Sequence, residues 1–313
     1  MSAAGLGAEG PGAEGVSARG ANAASEQPLV TPGRSQGLLD VLRWRFLLRL
    51  LVRKELRVRY RGSVLGLLWS YVKPAFQLFV FYIAMGKFLR LGETQPNYLI
   101  YLFSGIVIVN FFSEVFGNAT RSIVANADLV KKIYLPRELF PVANVWVAVV
   151  HLLPQIVVLA LAALATGWRP GPVDLLAGLA ALVLTMVTGL GLGLVFGAAN
   201  VLFRDSENFV DLILMAATWM SPVLYSWEMV QHVLPHWLFV IYQLNPITAA
   251  VQLSHVGFWA PSATVRARYG SAADVVPPSF LLYLLAAAAI STGLVLLGQL
   301  VFRRLEGRFA QEL

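Results

Sequence analysis

Between Arg43 and Arg61 the chain places Arg43, Arg45, Arg49, Arg53, Lys54, Arg57, Arg59 and Arg61 among Trp44, Phe46, Leu47, Leu50, Leu51, Leu56 and Val58. Arg45, Arg49, Arg53, Arg57 and Arg61 recur at every fourth position, so a helix gathers them into one slowly drifting cationic stripe. Guanidinium groups are planar forks that give two parallel hydrogen bonds to phosphate oxygens. A helix with such a stripe and an aromatic-aliphatic remainder settles in the headgroup layer of a membrane. The competing reading is a solvated face on a soluble helix. Against it stands the run that follows, Gly66 to Met85, GLLWSYVKPAFQLFVFYIAM. That run is long enough to cross ~30 Å of hydrocarbon at about 1.5 Å per residue. Dense positive charge just before a first span holds that side in the cytoplasm.

Charged groups inside apolar runs are functional candidates by default. Lys73 stands in the first run, before a proline, Pro74, expected to kink the helix, and Glu114 stands near the end of the second. Snorkelling to the interface is the alternative for both. A short connection, Asn118–Glu138, carries Asn126, Asp128, Lys131 and Lys132 with Leu129, Val130 and Ile133. Asn126-Ala-Asp128 reads as the capped start of a helix that stops before Pro136. Such a helix, greasy and charged at once, needs a partner surface or lies on lipid. Aromatic rings are the remaining signal: Tyr71, Phe79 and Tyr82 in the first run, Trp219 and Tyr225 in the fifth. Ring faces stack on sugars while tolerating sliding; interfacial belts and lipid-facing filler use the same residues.

Other chemistry is excluded or weak. The chain has no cysteine, so it has no disulfide framework, thiolate metal site or thiol nucleophile. His151, His232, His236 and His255 fit no metal-site pattern, and no metal or resident cofactor is expected. Gly189, Gly191, Gly193 and Gly197 have the wrong spacing for a dinucleotide loop; Gly189-x-x-x-Gly193-x-x-x-Gly197 reads instead as a close-packing helix face. No G-x-x-x-x-G-K-[ST] occurs, so any ATP and its Mg²⁺ are bound by another chain. Asp205, Glu207 and Asp211 are the one acidic cluster and fit a loop cap.

The elements that must position these residues follow from composition and hydropathy. With 58% hydrophobic and 13% charged residues and a mean hydropathy of +0.68, the chain reads as an all-α polytopic membrane protein. Its formal charge of +7 clusters beside the apolar runs, which argues against nucleic acid. Six spans are expected: Gly66–Met85, Tyr98–Gly117, Leu139–Leu164, Leu175–Leu202, Phe209–Trp227 and Phe280–Phe302. Residues 1–37, rich in Gly, Ala, Ser and Pro, read as a disordered cytoplasmic tail ahead of a transmembrane domain over 38–313. Only Lys87, Arg90, Arg169, Arg266 and Arg268 fall on the side opposite the basic stretch, so both termini are expected in the cytoplasm. On that opposite side, His236–Tyr242 and Thr248–Trp259 are expected as short helices lying in or dipping into the outer leaflet, and Pro261–Pro278 as a surface loop.

Several stretches resemble one family in order. Arg59-Tyr-Arg-Gly-Ser-Val-Leu-Gly-Leu-Leu-Trp69 with Lys73-Pro74 is similar to the entry of the first span in Wzm-like permeases of the type-2 ABC exporter family, which carry O-antigen, galactan and teichoic-acid polysaccharides. Asn126-Ala-Asp-Leu-Val-Lys-Lys-Ile-Tyr-Leu-Pro136-Arg-Glu resembles their coupling loop, although Leu135 stands where an aromatic is common. Phe203-Arg-Asp205, Ser221-Pro222-Val-Leu-Tyr225 and Leu244-Asn-Pro246 resemble later segments of the same family. The resemblance implies a homodimer of six-span subunits in a bacterial inner membrane, above two separate ABC ATPase subunits. It implies an interface helix over Leu38–Arg61, a coupling helix over Ile123–Lys132 and re-entrant helices over Pro235–Trp259. Asn126, Asp128, Leu129, Lys131 and Lys132 are then expected to couple to the ATPase. Arg57, Arg59, Arg61 and Lys73 are expected to receive the pyrophosphate of a polyprenyl-linked polysaccharide, unless they serve only topology and anionic lipid. Tyr71, Phe79, Tyr82, Trp219 and Tyr225 are expected to line its channel. Two other classes compete: a permease of the same fold for a small lipid or drug, and a membrane-embedded glycosyl- or acyltransferase.

Overall fold

The computed structural model describes residues 37–313 except Ile133 and Tyr134, so the expected tail over 1–37 lies outside the described residues but for Gly37. Every described element is helical. In lipid, a helix lets an apolar run satisfy each N–H with a carbonyl of its own segment.

Four helices are long and apolar enough to cross a membrane: α5 (Tyr98–Arg121), α7 (Leu139–Ala165), α8 (Pro172–Leu202) and α14, counted with the turn after it to Arg308. They centre on α5, whose most apolar window is 78% buried against 11% for that of α14. Helix α14 instead exposes Leu281, Leu282, Leu285, Leu296, Leu297 and Leu300, the face of a helix turned to lipid.

The glycine run packs as its spacing predicts. A Cβ at Gly189 would stand 2.7 Å from Cγ1 of Val115, and one at Gly193 would stand 2.5 Å from Cβ of Ala119, both on α5. A Cβ at Gly191 would stand 2.8 Å from the backbone carbonyl carbon of Leu294 on α14. Small residues let backbones approach closely where lipid gives no hydrophobic push between helices.

The first expected span is one helical run with irregular ends. A 3₁₀ turn (Gly66–Leu68) leads into α3 (Trp69–Phe81), which continues as π-helical turns over Tyr82–Phe88. Helix α3 passes through Pro74 unbroken; the irregular winding expected at the proline falls later, at Tyr82. A short helix α4 (Leu91–Thr94) then leads to α5.

The fifth expected span is shorter than hydropathy reads it. Helix α9 (Ser206–Trp219) has 14 residues, about 21 Å at ~1.5 Å per residue, less than the ~30 Å of a hydrocarbon core. The apolar residues that seemed to continue it form turns up to Trp227. The hydroxyl of Tyr98 donates to the carbonyl of Leu224 at 2.8 Å. That of Tyr101 lies 2.9 Å from the carbonyl of Pro222 and 2.8 Å from that of Tyr225. Pro222 has no N–H to give a continuing helix, and the carbonyls of the turns beyond α9 are met by tyrosine hydroxyls instead.

Beyond it come α10 (Trp227–Val233), α11 (His236–Leu244) and α12 (Pro246–Ser254), the last extended by π-helical turns over His255–Trp259. These cover the two short helices expected there. Pro261–Pro278 is not the surface loop expected: it forms α13 (Ala263–Tyr269) and a 3₁₀ turn (Ala272–Val275), with Val265 and Val275 buried. Val265 and Tyr269 lie four apart on one helix face, and the Tyr269 ring meets Trp259 edge-on at 5.8 Å.

At the opposite end lie α1 (Leu38–Arg43), α2 (Arg45–Arg59) and α6 (Ala127–Lys132), with α15 (Phe309–Glu312) closing the chain. Helix α2 is amphipathic as its spacing predicts: Arg45, Arg49, Arg53 and Arg57 are exposed and Leu51 is buried. Its Leu48 and Val52 pack on a second core cluster built around Phe140, Ala143, Phe302 and Phe309.

Candidate functional site: a polar cavity at the basic end

The C-terminal end of α2 and the facing sides of α3, α5 and α7 enclose a cavity of about 700 Å³. Its walls are polar stripes at helical spacing: Ser70, Lys73 and Gln77 on α3, Asn110, Glu114 and Asn118 on α5, His151 and Gln155 on α7. Each stripe recurs every three or four residues, so each helix turns one wet face inward while its other faces stay apolar. The amide of Asn110 donates to Oε1 of Gln77 at 3.2 Å, tying α5 to α3.

The charges are ordered within this space. The Arg59 guanidinium lies 2.9 Å from Oε1 of Glu114. Nδ1 of His151 lies 2.8 Å from the same oxygen. On its other side, Nε2 of His151 meets the Tyr60 hydroxyl at 2.8 Å, which in turn lies 3.1 Å from Oγ of Ser70. Glu114 is held by an arginine and a histidine, whereas Lys73 has no ion-pair partner among the described residues.

Of the four cations expected to receive phosphate, the structure brings Arg59 and Lys73 to the cavity. Arg57 and Arg61 are exposed and do not line it; Arg61 lies in the turn after α2 and not on its stripe. His151, Asn110, Asn118, Gln77 and Gln155 were not singled out from the sequence. Their signal was available in the polar periodicity within apolar runs.

The connecting loop is tied to the same helix α2. Asn126, the residue before α6, is buried, and its side chain is bonded within the chain. Its amide donates to the carbonyl of Ser122 at 2.8 Å and to Oε1 of Glu55 at 3.2 Å, and its oxygen accepts from Nζ of Lys54. Leu129 is half-buried against the second core cluster beside buried Val130. Asp128, Lys131 and Lys132 are exposed. The expected coupling set thus divides into three surface charges and two residues that seat the loop.

Two of the three clustered acids are held by one cation: Arg121 lies 3.4 Å from Glu207 and 2.6 Å from Asp211. It fastens α5 to α9 and does not cap α9, whose first residues carry no side-chain cap.

The aromatic candidates are scattered. Phe79 and Trp219 are exposed, whereas Tyr71, Tyr82 and Tyr225 are half-buried. Tyr225 lies beyond the end of α9, and its hydroxyl bonds the carbonyl of Trp219, so the two do not form a ladder along one helix as expected. At that end Tyr101 stacks on His255 at 3.9 Å and meets Trp259 at 5.0 Å, and Trp259 Nε1 donates to the carbonyl of Pro96 at 2.7 Å. The space left among them is about 10 Å³, room for about one water molecule. Burial raises the Tyr269 phenol above its ordinary value there.

Comparison with known proteins places the chain. The ABC-2 type transporter family matches residues 47–259, from α2 through the π-helical end of α12. An O-antigen export system permease protein RfbA of Klebsiella pneumoniae is 31% identical over 206 residues, covering 66% of this chain and 77% of the relative. The RfbA permease of Myxococcus xanthus is 28% identical over 193 residues, 61% of this chain and 73% of its own. The polysialic acid transport protein KpsM of Escherichia coli is 24% identical over 214 residues, 64% and 76% of the two chains. The matched stretch holds the α2 stripe, the cavity, the loop with α6 and the aromatic end, and the chain belongs to the ABC-2 type transporter membrane family.

Proposed function

We propose that this chain is the membrane subunit of an ATP-driven exporter that carries a polyprenyl-diphosphate-linked polysaccharide out of the cytoplasm. Two copies would enclose the conduit, above two separate ATPase subunits that bind ATP and Mg²⁺. In this reading Gly66–Phe88 and α9 complete six spans, α11 and α12 re-enter the membrane from outside, and both termini lie inside. The domain runs over 38–313, embedded in a bacterial inner membrane.

One observation carries the reading: the cavity combines two cations, Arg59 and Lys73, with neutral amides and hydroxyls beside the amphipathic helix α2. Cations suit phosphate oxygens, and amides suit sugar hydroxyls. A cavity for a small apolar drug would be lined mostly by hydrophobic side chains. The names of the RfbA and KpsM relatives, O-antigen export and polysialic acid transport, support a polysaccharide cargo.

The test is reconstitution of the chain with its ATPase subunit in proteoliposomes. ATP hydrolysis is expected to rise with a polyprenyl-diphosphate-linked glycan and to stay basal with free polyprenol or a panel of small amphiphiles. Stimulation by the small amphiphiles alone would favour a lipid or drug permease and overturn the proposal.

A further inference from the structure

The cavity's cations are not equally available. Arg59 is engaged with Glu114, while Lys73 has no ion-pair partner among the described residues. We infer that Glu114 is an internal guard on an anion site: without ligand it holds Arg59, and it yields Arg59 to an arriving diphosphate while His151 keeps hold of the carboxylate. The inference rests on the proposed receipt of a diphosphate at this cavity and adds how that receipt is made selective.

Three features of the geometry support a displaceable guard rather than a fixed brace. First, both partners of Glu114 meet one oxygen, Oε1, at 2.9 and 2.8 Å. Arg59 thus offers the carboxylate one nitrogen and not the parallel pair that its fork can give. A diphosphate can take both nitrogens and carries more charge, so it competes well for the same group. Second, His151 is 2% exposed and oriented from behind by Tyr60. Nδ1 faces Nη1 of Arg59 at 3.0 Å as well as Oε1 of Glu114 at 2.8 Å, so with Arg59 in place it is shared between the two. Once Arg59 leaves, a ring proton on Nδ1, with Tyr60 donating to Nε2, points at Glu114 alone. The carboxylate then retains a donor when Arg59 leaves, and no buried acid is stranded. Third, side-chain exposures of 34% for Arg59 and 31% for Glu114 leave the pair reachable from the cavity.

A guard of this kind supplies specificity. Every membrane surface offers phosphodiester headgroups in great excess over any lipid diphosphate. An anion that must first displace a carboxylate loses affinity whatever its type, and only one with charge to spare still fills the site. Discrimination comes from the added competing element, with Lys73 as the second cation that rewards the extra phosphate.

The test uses the full exporter, this chain with its ATPase subunits, in nanodiscs, with geranylgeranyl diphosphate as probe and calorimetric titration as readout. In phosphatidylcholine discs Glu114→Gln is expected to bind the probe about threefold to tenfold more tightly than the native chain, as an exposed ion pair is removed from competition. Adding phosphatidylglycerol is expected to weaken probe binding to Glu114→Gln and to leave the native exporter nearly unchanged. Glu114→Ser, which removes the carboxylate without an amide in its place, must shift affinity in the same direction. In the background of Arg59→Gln the effect of Glu114→Gln should vanish. If Arg59→Gln weakens binding but neither Glu114 variant tightens it, the guard is wrong and the diphosphate site stands. If Arg59→Gln and Lys73→Gln both bind as the native chain does, the diphosphate site itself is wrong.

Discussion

The two ends of the helix bundle solve opposite problems with the same kinds of residue. At the basic end, Arg59, Tyr60, Glu114 and His151 leave about 700 Å³ open between α2, α3, α5 and α7. At the aromatic end, Tyr98, Tyr101, His255 and Trp259 close on each other and on backbone carbonyls until about 10 Å³ remains. A tyrosine and a histidine sit at the centre of both. In the cavity they hold a carboxylate beside an arginine; at the other end they stack and tie down turns. The difference lies in their neighbours. Charged partners keep solvated space around them, because burying them fully costs more than pairing returns. Rings with carbonyl partners lose nothing by closing. Perturbation at the basic end should therefore appear in ligand binding and coupling, and perturbation at the aromatic end in stability.

The largest effect is expected where the basic end meets its partner. Asp128, Lys131 and Lys132 are the exposed charges of α6, while Asn126 fastens the loop to Lys54 and Glu55 on α2. Arg59 stands one turn further along the same helix. Reversing Lys131 and Lys132 to Glu is expected to abolish substrate-stimulated ATP hydrolysis and export, with normal insertion in the membrane. Normal stimulation in the double variant would remove α6 from the coupling role.

Next in size is the second cation of the cavity. Lys73→Gln is expected to raise the half-saturating concentration of a polyprenyl-diphosphate glycan about tenfold, the equivalent of one charge-assisted contact. Basic residues on α2 remain to hold the topology, so a purely topological Lys73 predicts no change. An unchanged half-saturation with intact assembly would confine anion recognition to Arg59.

Much of the basic end could be read from spacing, and much of the aromatic end could not. The fourfold recurrence from Arg45 to Arg57 gave α2 and its exposed stripe, since a single helix obeys its own periodicity. The glycines from Gly189 to Gly197 likewise announced the packing on Val115 and Ala119. The cavity was half visible: Lys73 and Glu114 stand out as charges, but His151 and Gln155 join them only when α7 is folded against α5. The end of α9 was hidden, because Met220 to Trp227 is as apolar as the helix before it. What stops the helix is Pro222 with Tyr98 and Tyr101, residues more than a hundred positions apart. Asn126 misled for the opposite reason. Its local sequence fits a cap, and a partner on α2, far away in the chain, takes the side chain instead.

At the aromatic end, Tyr101→Phe removes a hydroxyl shared between the carbonyls of Pro222 and Tyr225. The expected loss is about 1–2 kcal/mol of stability, read as a lower unfolding midpoint in detergent. Half-saturation by substrate should not move. If it does move while the midpoint holds, the aromatic end takes part in ligand handling and the division between the ends fails.

The smallest effects belong to single rings, and two of them test the division most finely. On the proposed function a polymer many sugars long would have to pass without being gripped, so each ring would contribute a weak contact that its neighbours repeat. Trp219 is 54% exposed at the end of α9. Tyr82 is half-buried at the start of the π-helical turns, with its ring edge where a Cβ on Gly86 would meet it at 3.3 Å. Truncation therefore should separate them. Trp219→Ala leaves no cavity in the fold and is expected to lower export by a few-fold at normal protein level and normal basal ATP hydrolysis. Tyr82→Ala removes packing from α3 and the core around α5, so it should lower stability by roughly 1–3 kcal/mol along with any loss of export. Export rates compared at matched protein level in membranes decide the matter. If Trp219→Ala exports at the native rate, that ring faces lipid or another helix, and the conduit must be sought along the polar faces of α3 and α5.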